Sequence, residues 1–192
     1  YLVADNHRNG DDANYVFKST DNGQTWASIE GDLPKNRSLH TLREDPKNPN
    51  LLYLGSEFGL FLSFDSGKHW TELKNNMPRM AFYDLVIHPR DNDLVLATHN
   101  RGIWILDNIH ALQELSADVR AKAAHIFSIE EAEEVRMSNP KAHAGDMIFR
   151  GENPPNGAII DYWLKSANPA SIGLTIHDAA GVEVAKVEPA KN

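Results

Sequence analysis

Ionisable and planar side chains cluster at a few tight points of the chain: Asp5-Asn6-His7-Arg8, Ser56-Glu57-Phe58 and His99-Asn100-Arg101, with Arg37, Arg79 and Asp84 between them. Two carboxylates ~5–10 Å apart across a cleft would suit acid–base cleavage of a glycosidic bond, and Asp5, Glu57 and Asp84 are the residues such chemistry would draw on. His7 and His99 share no compact ligand spacing, so no metal site is expected, and no cofactor either. A Ser-His-Asp order, a phosphate-cradling Gly-Lys loop, a dinucleotide glycine fingerprint and H-E-x-x-H are all absent. No residue is assigned a catalytic role. If the segment binds a ligand, the expected contacts are His7, Arg8, Glu57, His99 and Arg101.

What places these residues is an internal repeat. Ser19-Thr20-Asp21-Asn22-Gly23-Gln24-Thr25-Trp26 and Ser63-Phe64-Asp65-Ser66-Gly67-Lys68-His69-Trp70 share S-x-D-x-G-x-(T/H)-W at an offset of 44. In another register Asp45-Pro46-Lys47-Asn48-Pro49-Asn50-Leu51 matches His88-Pro89-Arg90-Asp91-Asn92-Asp93-Leu94 at an offset of 43. Short alternating strands at that period, with Gly, Pro, Asn and Asp in the turns, predict four-stranded propeller blades. The first blade supplies strands two to four at 2–5, 15–19 and 26–30, and the second is complete at 39–44, 51–55, 60–64 and 70–74. The third has strands at 83–88, 94–98 and 102–106, and no fourth follows. In an up-and-down blade, turns one-to-two and three-to-four share one face. The ionisable clusters, which fall in turns two-to-three and four-to-one, therefore belong on the face opposite the S-x-D-x-G turns.

Those turns read as structural. Asp21 and Asp65 accept backbone N–H bonds, Gly23 and Gly67 take positive φ, and Ser19 and Ser63 begin the motif. Trp26 and Trp70 are expected to cover the turns, each removing ~150–250 Å² from water. A calcium loop starting at Asp21 would need a bidentate Glu at its twelfth position, where Asp32 stands without flanking helices.

The net charge of −8 and pI near 5.5 disfavour nucleic acid and anionic membranes as partners. No apolar run approaches the roughly 20 residues of a membrane span. With no cysteine, thiol catalysis, disulfides and thiolate metal sites are excluded. Tyr1-Leu2-Val3-Ala4-Asp5 carries no initiator Met or leader pattern, and the expectation is a fragment or a processed chain.

At these motifs the sequence resembles the Asp-box, or bacterial neuraminidase repeat, propellers. It is more closely similar to large exported bacterial sortilin-like proteins often labelled glycosyl hydrolases. The resemblance rests on the two S-x-D-x-G boxes, on Glu44-Asp45-Pro46-Lys47-Asn48-Pro49-Asn50-Leu51-Leu52-Tyr53, on Asp84-Leu85-Val86-Ile87-His88-Pro89-Arg90 and on Thr98-His99-Asn100-Arg101-Gly102-Ile103-Trp104-Ile105-Leu106-Asp107. It lacks the cysteines of eukaryotic sortilin modules. The resemblance implies the C-terminal part of a larger propeller, periplasmic or extracellular, whose partners are the rest of the parent chain and a protein or glycan ligand. The alternative it carries is a glycoside hydrolase, xyloglucanase-like or sialidase-like, with its catalytic residues mostly elsewhere. A sialidase would need three converging arginines, a Tyr–Glu pair and an Asp acid, a convergence that the spacing of Arg8, Arg37, Arg79 and Arg101 does not show.

Past the blades, Ile109, Leu112, Leu115 and Val119 space a short amphipathic helix within 108–124, interrupted where Ser116 can cap a second turn. A strand at 125–129, an acidic stretch at 130–134 and a linker at 138–145 follow. Strands at 147–150, 158–166, 171–177 and 182–187, entered through Gly151-Glu152-Asn153-Pro154-Pro155-Asn156-Gly157-Ala158, resemble the start of an immunoglobulin-like β-sandwich that needs about seven strands. The expected organisation is thus all-β: blades over 1–107, helix, strand and linker over 108–145, and an incomplete sandwich over 146–192. The third blade should take its missing strand from a segment preceding Tyr1, with 125–129 as the local alternative.

Overall fold

The computed structural model describes residues 1–132, 151, 157–166 and 172–187. β1 (Leu2–Asn6) turns through a 3₁₀ segment at His7–Asn9 into β2 (Asp11–Lys18), and β3 (Ala27–Ser28) pairs on the far side of β2. The next four strands, β4 (Leu39–Glu44), β5 (Leu52–Ser56), β6 (Gly59–Ser63) and β7 (Thr71–Leu73), pair antiparallel in chain order as one complete blade. β8 (Phe82–Ile87), β9 (Leu94–Thr98) and β10 (Ile103–Leu106) repeat its first three strands. The molecule is an all-β partial propeller. Among the described residues the first sheet has no strand-one equivalent and the third no strand-four equivalent.

The middle blade is the hub because both of its faces are covered. Leu52, Leu54 and Phe61 turn towards the first sheet and pack with Val16, Leu33, Leu39, Leu42 and Trp70. Leu51, Tyr53, Leu60 and Leu62 turn the other way, onto Met80, Phe82, Leu85, Leu94 and Leu96. Strands buried on both faces read as continuous apolar runs, which is why Leu51-Leu52-Tyr53-Leu54 and Leu60-Phe61-Leu62 lack polar alternation. At ~1.5–3 kcal/mol for each fully buried Leu or Phe, these interfaces dominate stability. The sheets approach so closely at Gly55 that a Cβ there would lie 2.6 Å from the carbonyl oxygen of Phe82.

Two short helices follow, α1 (His110–Glu114) and α2 (Ala117–Ala121), with the Ser116 hydroxyl capping the second by accepting the Val119 N–H at 3.2 Å. α1 is clasped by a buried polar network rather than by an apolar stripe alone. Gln113 Nε2 donates to Asp45 Oδ2 and Asn92 Oδ1, both at 2.9 Å, and Asn92 Nδ2 donates back to Gln113 Oε1 at 3.0 Å. The Tyr53 hydroxyl completes it, donating to Asp45 at 3.0 Å.

The strand expected at 125–129 is β11 (Ala124–Ile126), and its partner is β12 (Tyr162–Leu164), not β10. This corrects the local alternative for closing the third blade. Among the described residues β10 keeps an open edge, with Ile103 71% and Ile105 56% exposed. β13 (Leu174–His177) and β14 (Glu183–Val187) form a hairpin turned by Asp178, whose carboxylate accepts the Ala180 and Val182 amides. The described residues here form two separate strand pairs. The linker at 138–145, the strand at 147–150, Glu133, Glu134 and most of the 151–158 segment lie outside the described residues.

Candidate functional site

The repeat places one irregularity at the same point of two blades. In β4, Leu39 pairs with Ser56 and Thr41 with Gly55, leaving His40 as an extra residue; in β8, Phe82 pairs with Thr98 and Asp84 with Ala97, leaving Tyr83 extra. Such bulges re-aim a side chain out of the pleat. They set the His40 and Tyr83 rings face to face, 4.3 Å between centroids and 13° from parallel. His99 follows at 5.5 Å from Tyr83, so three planar groups run across adjacent sheets.

Carboxylates flank the start of this row. His40 Nε2 lies 2.9 Å from Glu57 Oε2, and its Nδ1 is 4.0 Å from Asp5 Oδ2. The His40 side chain is only 8% exposed, with Nε2 hydrogen-bonded to Glu57 and Nδ1 facing Asp5 across a longer gap. Asp5 also receives the His7 backbone N–H at 3.0 Å and the His7 ring at 2.6 Å. Burial alone would raise the Asp5 pKa, but the His7 hydrogen bonds, with the charges of His7 and His40, outweigh it and hold the carboxyl below its ordinary range. A glycosidase acid needs the opposite shift. Asp84 is engaged too, accepting from Arg43 Nη2 at 2.8 Å and from the Leu85 amide at 2.9 Å. Beside the row, a cleft of about 340 Å³ is lined by Tyr1, Val3, His40, Arg43, Tyr83 and Asp84.

Of the residues singled out by sequence, the structure joins His7 and Glu57 through Asp5 and His40, and reaches His99 through Tyr83. Arg8 and Arg101 are exposed, and their side chains make no hydrogen bond or ion pair among the described residues. His40 and Tyr83, the centre of the arrangement, are not found by turn parity. A detectable signal for them exists: Leu39/Leu42 and Phe82/Leu85 are apolar pairs spaced by three inside strands, which breaks the period of two at the same repeat position. No group of three or more His, Asp or Glu side chains among the described residues is arranged to hold a metal ion.

The S-x-D-x-G turns sit at the other end of the sheets. The Ser66 amide donates to Asn50 O at 2.9 Å, joining turn three-to-four to turn one-to-two. At the opposite end the Glu57 amide donates to the carbonyls of Arg37 and Ser38, and the His99 amide to that of Ala81. In the first turn Ser19 Oγ accepts the Gly23 N–H at 2.7 Å, while Asp21 accepts the Thr25 N–H at 2.9 Å and the Thr25 hydroxyl at 2.6 Å. The Thr25 bonds, with that of Ser19, hold the Asp21 carboxyl down to about 2. In the second, Ser63 Oγ accepts the Gly67 N–H at 2.8 Å, and Asp65 takes the Lys68 and His69 amides and the His69 ring. Gly23 and Gly67 adopt φ of 87° and 92°. The tryptophans differ from expectation: Trp70 is 8% exposed, whereas Trp26 is 45% exposed and leans back on its own turn, Nε1 donating to Gly23 O at 3.1 Å.

The repeated sheets and their bulged inner strands accord with a sequence comparison: the profile of the family Sortilin-Vps10, described as sortilin, neurotensin receptor 3, matches residues 14–151. The chain belongs to the Sortilin-Vps10 family. The match begins at Asn14 within β2, spans the complete blade and the third sheet, and runs past the two helices. No curated protein and no solved structure matches this Sortilin-Vps10 chain. No described helix is long and apolar enough to cross a membrane.

Proposed function

We propose that this chain is a binding segment of a Sortilin-Vps10 propeller, taking a protein or glycan on the face opposite the S-x-D-x-G turns. The observation that carries the reading is the His40–Tyr83 stack with its flanking carboxylates. His40 sits between Glu57 and Asp5, nearly buried and stacked on Tyr83, so it serves to fix the Tyr83 ring. Tyr83 remains 47% exposed, offering a ring edge and a phenol to a planar or hydroxyl-bearing ligand. The family description names a receptor, which supports recognition rather than turnover. An exported bacterial origin, with the chain forming part of a larger closed ring outside the cytoplasm, fits the Asp-box character of its turns and the extracellular or luminal setting typical of this family.

The test is a screen of the protein over glycan and peptide arrays, followed by Tyr83→Ala and Trp26→Ala. Tyr83→Ala should weaken the selected interaction at least about tenfold, roughly 1.4 kcal/mol, while Trp26→Ala on the other face leaves it unchanged. Equal effects from both would refute the placement. Release of sugar from a polysaccharide panel, abolished by Glu57→Gln, would replace the reading with a glycoside hydrolase.

A further inference from the structure

A second cleft on this same face, about 360 Å³, lies between the connections that lead into β4 and β8. Its charged lining is Arg37, Arg79, Lys74 and Glu72, and its apolar lining includes Phe58 and Met77. Arg37 and Arg79 lie in the connections that precede equivalent strands of successive blades, and both line the one opening. The Arg37 backbone is pinned, its N–H donating to Asn14 Oδ1 at 3.2 Å and its carbonyl accepting from Glu57. Arg37 Nε is buried without a hydrogen-bond partner. Arg79 lies over the Phe58 ring at 4.7 Å and makes no ion pair among the described residues.

That arrangement is unusual for this composition. The chain has 27 acidic residues against 19 basic, so surplus carboxylates abound, yet neither guanidinium is matched to one among the described residues. Buried guanidinium groups are normally hydrogen-bonded, and the planar fork of an arginine fits a carboxylate or sulfate in particular. Lys74 and Glu72, 3.4 Å apart at the rim, neutralise each other and offer a donor and an acceptor to hydroxyl groups. The aromatic and thioether lining suits the C–H face of a sugar ring. The surplus of positive charge calls for an anionic substituent on that ring.

We propose that the Arg37–Arg79 cleft binds an anionic sugar unit, a uronate or a sulfated hexose, with the anion on the two guanidiniums and the ring against the apolar side chains beside them. This rests on the reading of the face as a binding surface, and narrows its ligand to acidic glycans.

The experiment is calorimetric titration of the protein with four probes: a tetragalacturonate, its methyl ester, a carrageenan-derived sulfated tetrasaccharide, and inorganic sulfate. One or both charged oligosaccharides should bind at least tenfold tighter than the methyl ester and than sulfate, and weaken as salt is raised. The carboxylated and sulfated arms decide which anion is preferred. Arg37→Gln and Arg79→Gln should each cost at least tenfold with thermal midpoints unchanged; Arg79 is exposed, so its variant tests the proposal even if Arg37→Gln destabilises the fold. Equal binding of the methyl ester, sulfate as tight as the sugars, indifference to both substitutions, or no binding of either charged oligosaccharide each overturns it. A protein or neutral glycan whose binding is lost in Tyr83→Ala but kept in Arg79→Gln would leave the face a binding surface while refuting the acidic sugar.

Discussion

Turns 19–26 and 63–70 carry the same wiring, a serine hydroxyl over the glycine amide and a carboxylate over the amides two places on, yet their tryptophans end in different surroundings. Trp70 leaves its turn for the preceding sheet, its ring N–H donating to Ile29 O at 3.0 Å and its backbone N–H to Asp32 at 2.6 Å. Trp26 has no such neighbour among the described residues and bonds to its own turn. The turn is therefore encoded locally, while the value of its tryptophan is set by the adjoining blade. Gly67 shows the same dependence: a Cβ there would lie 2.9 Å from the Cβ of Ile29, whereas at Gly23 the nearest group is the Trp26 ring at 3.6 Å.

The sharpest way to break this comparison is to truncate both tryptophans. Trp70→Ala should cost about 3–5 kcal/mol in urea unfolding, Trp26→Ala no more than about 0.5 kcal/mol, and equal losses would contradict the inter-blade role. Next come the glycines. Gly23→Ala pays only for its left-handed backbone, about 1–2 kcal/mol, while Gly67→Ala adds a clash of about 1–3 kcal/mol against Ile29. The difference between the two thermal midpoints reads that clash directly.

Acid should then loosen both turns alike. Asp21 is held at about 2 against an ordinary value of 3.8, and Asp65 is lowered also, burial opposing but the His69 and Ser63 bonds prevailing. Depressed carboxylates stabilise above their unfolded value and lose that contribution as pH falls through the folded one. Thermal midpoints of wild type and Asp21→Asn should therefore converge between about pH 4 and pH 2, and those of wild type and Asp65→Asn as pH falls below the ordinary carboxylate range.

The smallest effect separates the turns again. The hydrogen bond that the His69 ring donates to Asp65, and the charge of that carboxylate, raise the His69 pKa, whereas Thr25 occupies the equivalent place in the first turn. The His69 contribution is complete below about pH 6.5, its unfolded value, and fades as pH rises through the raised folded one. Wild type should outlast His69→Thr at pH 6 and approach it in alkali; a gap that widens with pH would refute the pairing.

Much of the architecture was legible because the repeat supplies the same information twice. Turn residues at matching offsets delimit the strands, and Ser116 announces the break between the helices. The candidate site was legible only at its rim. Turn parity finds Glu57, His7 and His99, but His40 and Tyr83 lie within strands, and a bulge changes the direction of a side chain without changing strand composition. The clasp on α1 was hidden for a different reason. Gln113 is polar, and nothing in its local sequence shows that Asn92 and Asp45, distant in the chain, will surround its amide.

Every position of β5 and β6 is buried, while β1 and β10 lie at the margins of their sheets. Backbone amides of the central pair should then be the last to trade protons for deuterons, at the rate of global opening, with the flanking sheets releasing theirs earlier through partial openings. The candidate face spans that gradient. Glu57 hangs from the slow pair and Tyr83 from a faster neighbour, so a ligand gripping both would slow the motion of the third sheet against the second.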